Sequence, residues 1–359
     1  MAETVVVAMS GGVDSSAAAY LLKKEGYNVI GITLKTWPKE LCDVVPKTQT
    51  CCSTRDIEDA RTVADQLKIP FYVVEASVAF KSKVMDYFVQ EYSHGVTPNP
   101  CVVCNREIKC GILLEKADAL GAQWLATGHY ARTGWDDSRG RYVIRQAVDE
   151  QKDQSYVLFQ LTQDQLSRLL FPLGDKTKEQ VRAVAREAGL KVAEKPESME
   201  LCFIPDGNTK EFLQARTPDS FQPGDIVTRQ GKVVGTHQGM AAYTVGQRKG
   251  LGIAHSKPLY VLSLDPSTNR VIVGESEELT ADFCVVKDLH WGALSSLTTP
   301  CDASVKIRYR SDKIPARLIP RGETIRVEFK DPVAGGVSPG QAAVFYDGGT
   351  ILAGGTIVK

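Results

Sequence analysis

Two cysteines stand three positions apart in Thr97-Pro98-Asn99-Pro100-Cys101-Val102-Val103-Cys104-Asn105. The two prolines and the polar residues open a predicted helix. A thiol at a helix N-terminus has a lowered pKa and reads as a thiolate. Such a terminus also suits a phosphate or the edge of an RNA base. A third cysteine, Cys202, lies in Ser198-Met199-Glu200-Leu201-Cys202-Phe203-Ile204-Pro205. Taken alone, it reads as a small buried hydrophobe. The chain has nine cysteines, at 42, 51, 52, 101, 104, 110, 202, 284 and 301. An odd count without an export signal predicts a reducing compartment and no disulfide framework. Cys51-Cys52 precedes a helix cap and reads as structural. A zinc site is disfavoured, because Cys101-x-x-Cys104 has no second ligand pair of suitable spacing. The five histidines form no H-E-x-x-H pattern.

A second chemical segment is Ser10-Gly11-Gly12-Val13-Asp14-Ser15, which follows the apolar run Thr4–Met9. Two glycines allow a tight turn and close backbone approach. Free amides at the following helix N-terminus face an anion, and the Ser10 and Ser15 hydroxyls add donors. No lysine follows the glycines, so the Walker pattern is absent. The spaced glycines of the Rossmann fingerprint are absent too.

These segments must be held by a scaffold. Strands are predicted at Thr4–Met9, Val29–Leu34, Pro70–Val74 and Trp124–Tyr130. Helices are predicted at Ala17–Glu25, after an N-cap at Ser53–Asp56, at Val78–Tyr92 and at Arg106–Leu120. Alternation of this kind implies an α/β, doubly wound parallel sheet. Beyond residue 205, Gly, Pro and short β-branched runs dominate, as in GDIVTRQGKVVG and AAVFYDGGTILAGGTIV. Turn signals every 8–12 residues indicate small all-β units. At about 150 residues per domain, 359 residues hold two or three domains. The divisions expected are 1–207, 208–275 and 276–359, the last a β-barrel.

Lys+Arg and Asp+Glu both number 43, which excludes binding of nucleic acid through bulk positive charge but leaves room for a local basic face. Residues 301–330 supply a candidate. Lys306, Arg308, Arg310, Lys313, Arg317, Arg321, Arg326 and Lys330 stand against Asp302, Asp312, Glu323 and Glu328, with Tyr309 among them. This stretch reads either as a solvated barrel face or as a phosphate-contacting surface with stacking help. No run of 18 apolar residues occurs, so no membrane span is expected. The N-terminus lacks a basic leader and a cleavage site, and a cytoplasmic location is expected.

The SGGVDS loop resembles that of the N-type ATP pyrophosphatases, which cleave ATP between its α and β phosphates and adenylate a second substrate. SGGVDS, NPCVVCNREIK, TGHYAR, KDQSYVLF, CFIP, THQGMAAYTVGQRKGLGI, KIRYR and SPGQAAVFYDG occur in this order. The whole series is similar to the bacterial-type tRNA-specific 2-thiouridylases, from residue 4 to about 357. The resemblance implies ATP-dependent adenylation of O2 of uridine 34 in a subset of tRNAs. A cysteine persulfide then delivers sulfur, giving 2-thiouridine, AMP and pyrophosphate.

By motif position, Cys104 matches the family's nucleophile and Cys202 its persulfide-bearing cysteine. Ala8, Met9, Ser10, Gly11, Gly12, Val13, Asp14, Ser15, Leu34 and Gly128 match ATP contacts. Asn99, Pro100, Cys101, His129, Lys152, Asp153, Gln154, Arg308, Tyr309 and Gln341 match tRNA contacts. ATP with Mg2+ is the implied cofactor. The implied partners are tRNA and either a sulfur-donor protein (a persulfide carrier or a cysteine desulfurase) or sulfide. The resemblance implies one departure, since in one form of the family the residue matching Cys101 is aspartate. Cys101, Cys104 and Cys202 together could hold a [4Fe–4S] cluster with an open iron, an alternative to the persulfide relay. Other adenylating enzymes with this loop, and a catalytically inactive RNA-binding protein, are the rival expectations.

Overall fold

The computed structural model describes residues 2–37, 54–197, 201–204 and 207–358. Cys42, Cys51, Cys52 and the expected cap residue Ser53 lie outside them, as do Ser198–Glu200 and Pro205 of the Cys202 motif. The chain divides into two compact units. One comprises residues 1–85, 101–207 and 349–351; the other comprises 86–100, 208–348 and 352–359.

The first unit is built on a five-stranded sheet. Its strands are β1 (Thr4–Ala8), β2 (Asn28–Lys35), β3 (Phe71–Glu75), β4 (Trp124–Ala126) and, after a hairpin of β5 (Ala131–Asp136) and β6 (Arg141–Gln146), β7 (Leu169–Leu170). The order is β3-β2-β1-β4-β7, and every pairing is parallel. A parallel sheet needs both faces covered. Val5, Val6 and Val7 of central β1 are fully buried accordingly. Val5 and Val7 pack with Ala19 and Leu22 of α1 (Val13–Lys24) and with Ala60, Val63 and Ala64 of α2 (Thr54–Leu67). Each such valine contributes roughly 1.5–3 kcal/mol by leaving water. All strands point one way, so Ala8, Lys35 and Ala126 end at one carboxyl edge, the edge where such sheets bind ligands.

Two expected boundaries move. The strand expected over 124–130 ends at Ala126, and Thr127–Tyr130 turns out of the sheet. Helical backbone begins at Pro100, runs as a π-helix over Cys104–Ile112, and continues through Leu113–Ala119. Proline suits a first helical turn, where its missing N–H has no partner to lose. The helix Lys178–Glu187, closed by the reciprocal Thr177/Gln180 capping box, was not anticipated.

The second unit holds two β structures. β8 (Gly224–Thr228), β9 (Val233–His237), β10 (Tyr260–Asp265) and β11 (Arg270–Gly274) form one sheet in the order β10-β11-β8-β9. The remaining strands are β12 (Thr280–Trp291), β13 (Cys301–Lys306), β14 (Ile314–Arg321), β15 (Thr324–Ala334), β16 (Ala342–Asp347) and β17 (Thr350–Ile357). They run in the order β12-β15-β14-β13-β16-β17, and β12 pairs back onto β17, closing a six-stranded barrel. Closure removes the open edges that would otherwise recruit another chain. The barrel expected at the end of the chain is therefore present.

Candidate active site

The glycine loop leaves the carboxyl end of β1. Its backbone is fixed from below, where the Thr33 hydroxyl donates to the Met9 carbonyl at 2.6 Å. Inside the loop, the Ser10 amide donates to Ser15 Oγ at 3.1 Å, and the two serine hydroxyls lie 3.3 Å apart. Gly11 has φ +70°, and a Cβ there would stand 2.2 Å from the Asp56 carbonyl oxygen. Gly128 presses against the far side, where a Cβ would lie 2.7 Å from the Ser15 amide nitrogen. The turn Thr127–Tyr130 thus leaves the sheet to let its glycine seat against α1. Gly12 caps α1 without a side-chain hydrogen bond, so the helix terminus offers amides and its positive dipole end to an anion. Val13 and Met9 are buried beneath the loop, and Leu34 is buried near the end of the adjacent β2.

A ring of charge surrounds this loop that no local spacing announced. Lys195 donates to the Gly11 carbonyl at 2.9 Å and to Asp56 Oδ1 and Asp59 Oδ2 at 2.6 Å each. Burial pulls its ammonium pKa down, but the two carboxylates more than offset this and leave it raised. Asp14 receives the Tyr130 hydroxyl at 2.8 Å and both its oxygens bond Lys178, at 2.7 and 2.8 Å. Burial and the Asp14 charge push the Tyr130 phenol well up, so it stays a donor. Lys178 also reaches Glu197 at 2.9 Å, and Glu197 in turn accepts from Lys152 at 2.8 Å. Burial would raise the Glu197 carboxyl, yet hydrogen bonds and charge from Lys152 and Lys178 hold it at about 2. The capping box at Thr177 was the one sequence signal that could have led to Lys178.

The thiols differ in setting. Cys104 is buried at the start of the π-helix, while Cys101, one turn earlier, reaches solvent. At Cys101 the surroundings act against the thiolate that a helix N-terminus suggests. Although part of the residue is exposed, crowding of its surroundings pushes the thiol up, and the Lys109 charge only partly opposes this. Burial also raises Cys110 and Cys284, each to about 12, which leaves both inert. Cys202 is half-buried, followed by buried Phe203 and Ile204. The Phe203 ring meets Phe80 edge-on at 5.9 Å. Phe80 ends the helix Ser77–Phe80, which packs on the Cys104–Ile112 segment, so one helical layer supports both Cys104 and the Cys202 segment. Among the described residues no group of three His, Cys, Asp or Glu is placed to hold a metal. Cys101, Cys104 and Cys202 are all described, so they do not fit a three-thiolate cluster in this arrangement.

The KDQSYVLF motif acts largely inward. Asp153 is buried and accepts from Gln146, from the Ala147 amide and from both the amide and hydroxyl of Ser155. Gln154 exchanges hydrogen bonds with the Tyr130 backbone at 2.8 and 3.0 Å. The Val157 carbonyl accepts from Asn105, beside Cys104, at 3.1 Å. Only Lys152 of the first three presents its head to the site, toward Glu197. His129 is buried, its Nδ1 2.7 Å from the Thr127 hydroxyl, and burial, with the Lys109 charge adding, holds its pKa well below the ordinary value.

In the second unit, Gln341 donates to the carbonyls of Thr97 and Pro98 at 2.9 and 3.2 Å, directly ahead of Asn99 and Pro100 in the chain. Arg308 donates to the Gly335 and Gly336 carbonyls, and Tyr309 is exposed.

A parallel α/β sheet with a glycine loop, an uncapped helix terminus and a surrounding ring of charge defines a nucleotide-binding domain of the HUP class, here joined to two β units. The tRNA methyl transferase HUP domain model matches residues 3–206, the tRNA methyl transferase PRC-barrel domain matches 210–275, and the aminomethyltransferase β-barrel domain matches 281–357. The chain is 52% identical over 356 residues to the tRNA-specific 2-thiouridylase MnmA of Geotalea uraniireducens, covering 98% of this chain and 94% of that one. It is 49% identical over 362 residues to the protein of that name from Heliobacterium modesticaldum, covering 100% and 93%. It is 46% identical to that of Clostridium acetobutylicum, covering 100% of each. The chain belongs to the tRNA-specific 2-thiouridylase family, a family of sulfur-transferring enzymes. Among the described residues no helix is long and apolar enough to cross a membrane.

Proposed function

We propose that this protein thiolates C2 of the wobble uridine, position 34, in a subset of tRNAs. The glycine loop binds the pyrophosphate portion of ATP, with Mg2+ balancing its charge. Uridine O2 attacks the α-phosphorus, pyrophosphate leaves, and O2 becomes an AMP ester. A persulfide on Cys202 attacks C2 through its terminal sulfur, and AMP departs with the oxygen. Cys104 then attacks Cys202 Sγ, forming a Cys104–Cys202 disulfide and leaving sulfur on C2 as 2-thiouridine. An external thiol reduces the disulfide, and a persulfide-carrying protein or cysteine desulfurase reloads Cys202.

One observation carries this reading. Cys104 and the Cys202 segment share a helical support in the same unit as an anion-ready loop. Lys152, Asn99, Pro100, His129, Arg308, Tyr309 and Gln341 are proposed to contact or position the tRNA, across divisions 1–207, 208–275 and 276–359. The protein is expected in the cytoplasm. The test is mass analysis of tRNA nucleosides after incubation with protein, ATP and a persulfide donor. Appearance of 2-thiouridine only with ATP supports the reading. ATP–pyrophosphate exchange without any thiolated nucleoside overturns it in favour of another adenylating activity.

A further inference from the structure

The helix that opens with Cys104 has π-type, wide turns along all nine of its residues, Cys104–Ile112. Backbone of this kind occurs mostly as single-turn bulges, frequently at functional sites. A longer run needs support from outside the helix, and the stretch Val157–Gln165 supplies it. Asn105 donates to the Val157 carbonyl at 3.1 Å, and Arg106 donates to Gln160 Oε1 at 2.9 Å. Gln165 reaches further along the helix. Its Nε2 donates to the Arg106 carbonyl at 3.0 Å and to the Cys110 carbonyl at 3.2 Å, so one side-chain amide bridges the turn between them. The other end of that side chain is also engaged. Gln165 Oε1 accepts from the Thr162 amide at 3.0 Å, and the Gln165 backbone amide donates to the Thr162 hydroxyl at 3.2 Å. This capping box fixes the oxygen and so turns the donor end of Gln165 toward the Cys104 helix.

We infer that Gln165 is a positioning residue for the Cys104 thiol, and that it acts by holding the wide-turn register of this helix. The inference rests on the function proposed above, in which Cys104 attacks Cys202 Sγ. In a wide turn each carbonyl pairs with the amide five residues on, one further than in an α-helix. A carbonyl has two lone pairs, so the Arg106 and Cys110 oxygens can take a side-chain donor as well as a backbone one. Gln165 binds both oxygens where the wide turn places them. Gly111 leaves the same turn uncrowded, since a Cβ there would stand 3.2 Å from the Arg106 carbonyl oxygen. Without the bridge the helix tightens, and one residue drops out of the turn between Cys110 and Cys104. One residue of α-helix is about 100° of rotation and about 1.5 Å of rise. A slip of that size aims the Cys104 thiol away from its line of attack, with the glycine loop and the ATP site untouched.

Three variants of the full chain separate this role from a merely structural cap. Gln165→Glu keeps the capping box, which glutamate also completes, but sets a carboxylate oxygen against the two helix carbonyls. Gln165→Met removes both the cap and the donor without adding charge. Thr162→Ala weakens the cap, yet the Thr162 N–H still holds Gln165 Oε1, so the bridge to the Cys104 helix stays. Thiolation kinetics, thermal melts and the Cys104-to-Cys101 ratio of alkylation by iodoacetamide, located by peptide mass spectrometry, are measured for each. Both Gln165 variants should shift the alkylation ratio severalfold. Their kcat for thiolation should fall by about tenfold to hundredfold, since a misplacement of about 1 Å can cost about 10²-fold. KM for ATP and tRNA-stimulated ATP–pyrophosphate exchange should stay as in wild type. Thr162→Ala should lower the melting temperature and leave both the ratio and kcat unchanged. A ratio unchanged in both Gln165 variants, or shifted equally by Thr162→Ala, overturns the inference. A ratio shifted by the Gln165 variants alone, in a protein whose wild type makes no 2-thiouridine, overturns the proposed function instead and leaves the control of the Cys104 thiol standing.

Discussion

Gly11 and Gly12 are neighbours in one loop, yet the structure assigns them different duties, and alanine at each separates fold from ligand site. Gly11 has φ +70°, and its added methyl would meet the Asp56 backbone, with Asp56 O at 2.2 Å and Asp56 C at 2.9 Å. Left-handed backbone costs an L-residue roughly 1–2 kcal/mol. Forcing a methyl into packed backbone costs roughly 1–3 kcal/mol more. Gly11→Ala should therefore destabilise by about 2–5 kcal/mol, against the roughly 5–15 kcal/mol that holds a domain folded. At about 2–4 °C per kcal/mol, the melting temperature should fall by roughly 4–20 °C. Gly12 has φ −97° and ψ 167°, extended backbone open to any residue. Its methyl would meet only Ser10 Oγ, at 3.6 Å. Gly12→Ala should cost about 0.5–1 kcal/mol, through a poorer N-cap. It should still impair ATP binding, because in the proposed reading this loop's amides hold the phosphates and the added methyl stands among them beside Ser10 Oγ. Thermal melts and calorimetric titration with ATP measure both. Equal melting temperatures for the two variants, or a larger loss in Gly12→Ala, would refute the reasoning.

Cys104→Ser and Cys202→Ser should each abolish 2-thiouridine while ATP and tRNA binding survive, and near-normal product from either variant removes that residue from the relay. Cys101→Ser should retain thiolation when a persulfide donor is supplied; stoichiometric iron in anaerobically purified wild type, lost together with activity in Cys101→Asp, would sink the relay. Arg308→Ala should lower tRNA affinity and reduce the salt slope by about one counterion if it touches phosphate; an unchanged slope confines Arg308 to supporting the Gly335–Gly336 turn. Glu197 is held at about 2 against an ordinary 4.5, so its pairing stabilises the fold fully above pH 4.5 and is lost as pH falls toward 2. Acid-unfolding curves of Glu197→Gln should be flatter across that window, and curves superimposable on wild type would contradict the paired geometry.

Local patterns carried much of the molecule. The Val5–Val7 run, the glycine pair and the Cys101-x-x-Cys104 spacing each depend on neighbours in sequence, and apolar runs, turn residues and helix starts are local physics. The order of motifs likewise marked the family and both ends of the proposed thiol pair. Tertiary structure alone decided the rest. Lys195 meets the Gly11 carbonyl across 184 positions, and Lys178 meets Asp14 across 164. The crowding that raises the Cys101 thiol comes from the folded surroundings, against the helix-terminus effect that spacing suggested. Asp153 and Gln154 stand in a motif read as RNA contact, but folding turns their polar groups onto Ser155 and Tyr130. Barrel closure, too, rests on β12 meeting β17 across most of the final unit. A single charged residue carries no mark of its partner, since a lysine is equally soluble facing water. Only when the sheet brings distant loops to one edge does burial make each charge find an opposite one.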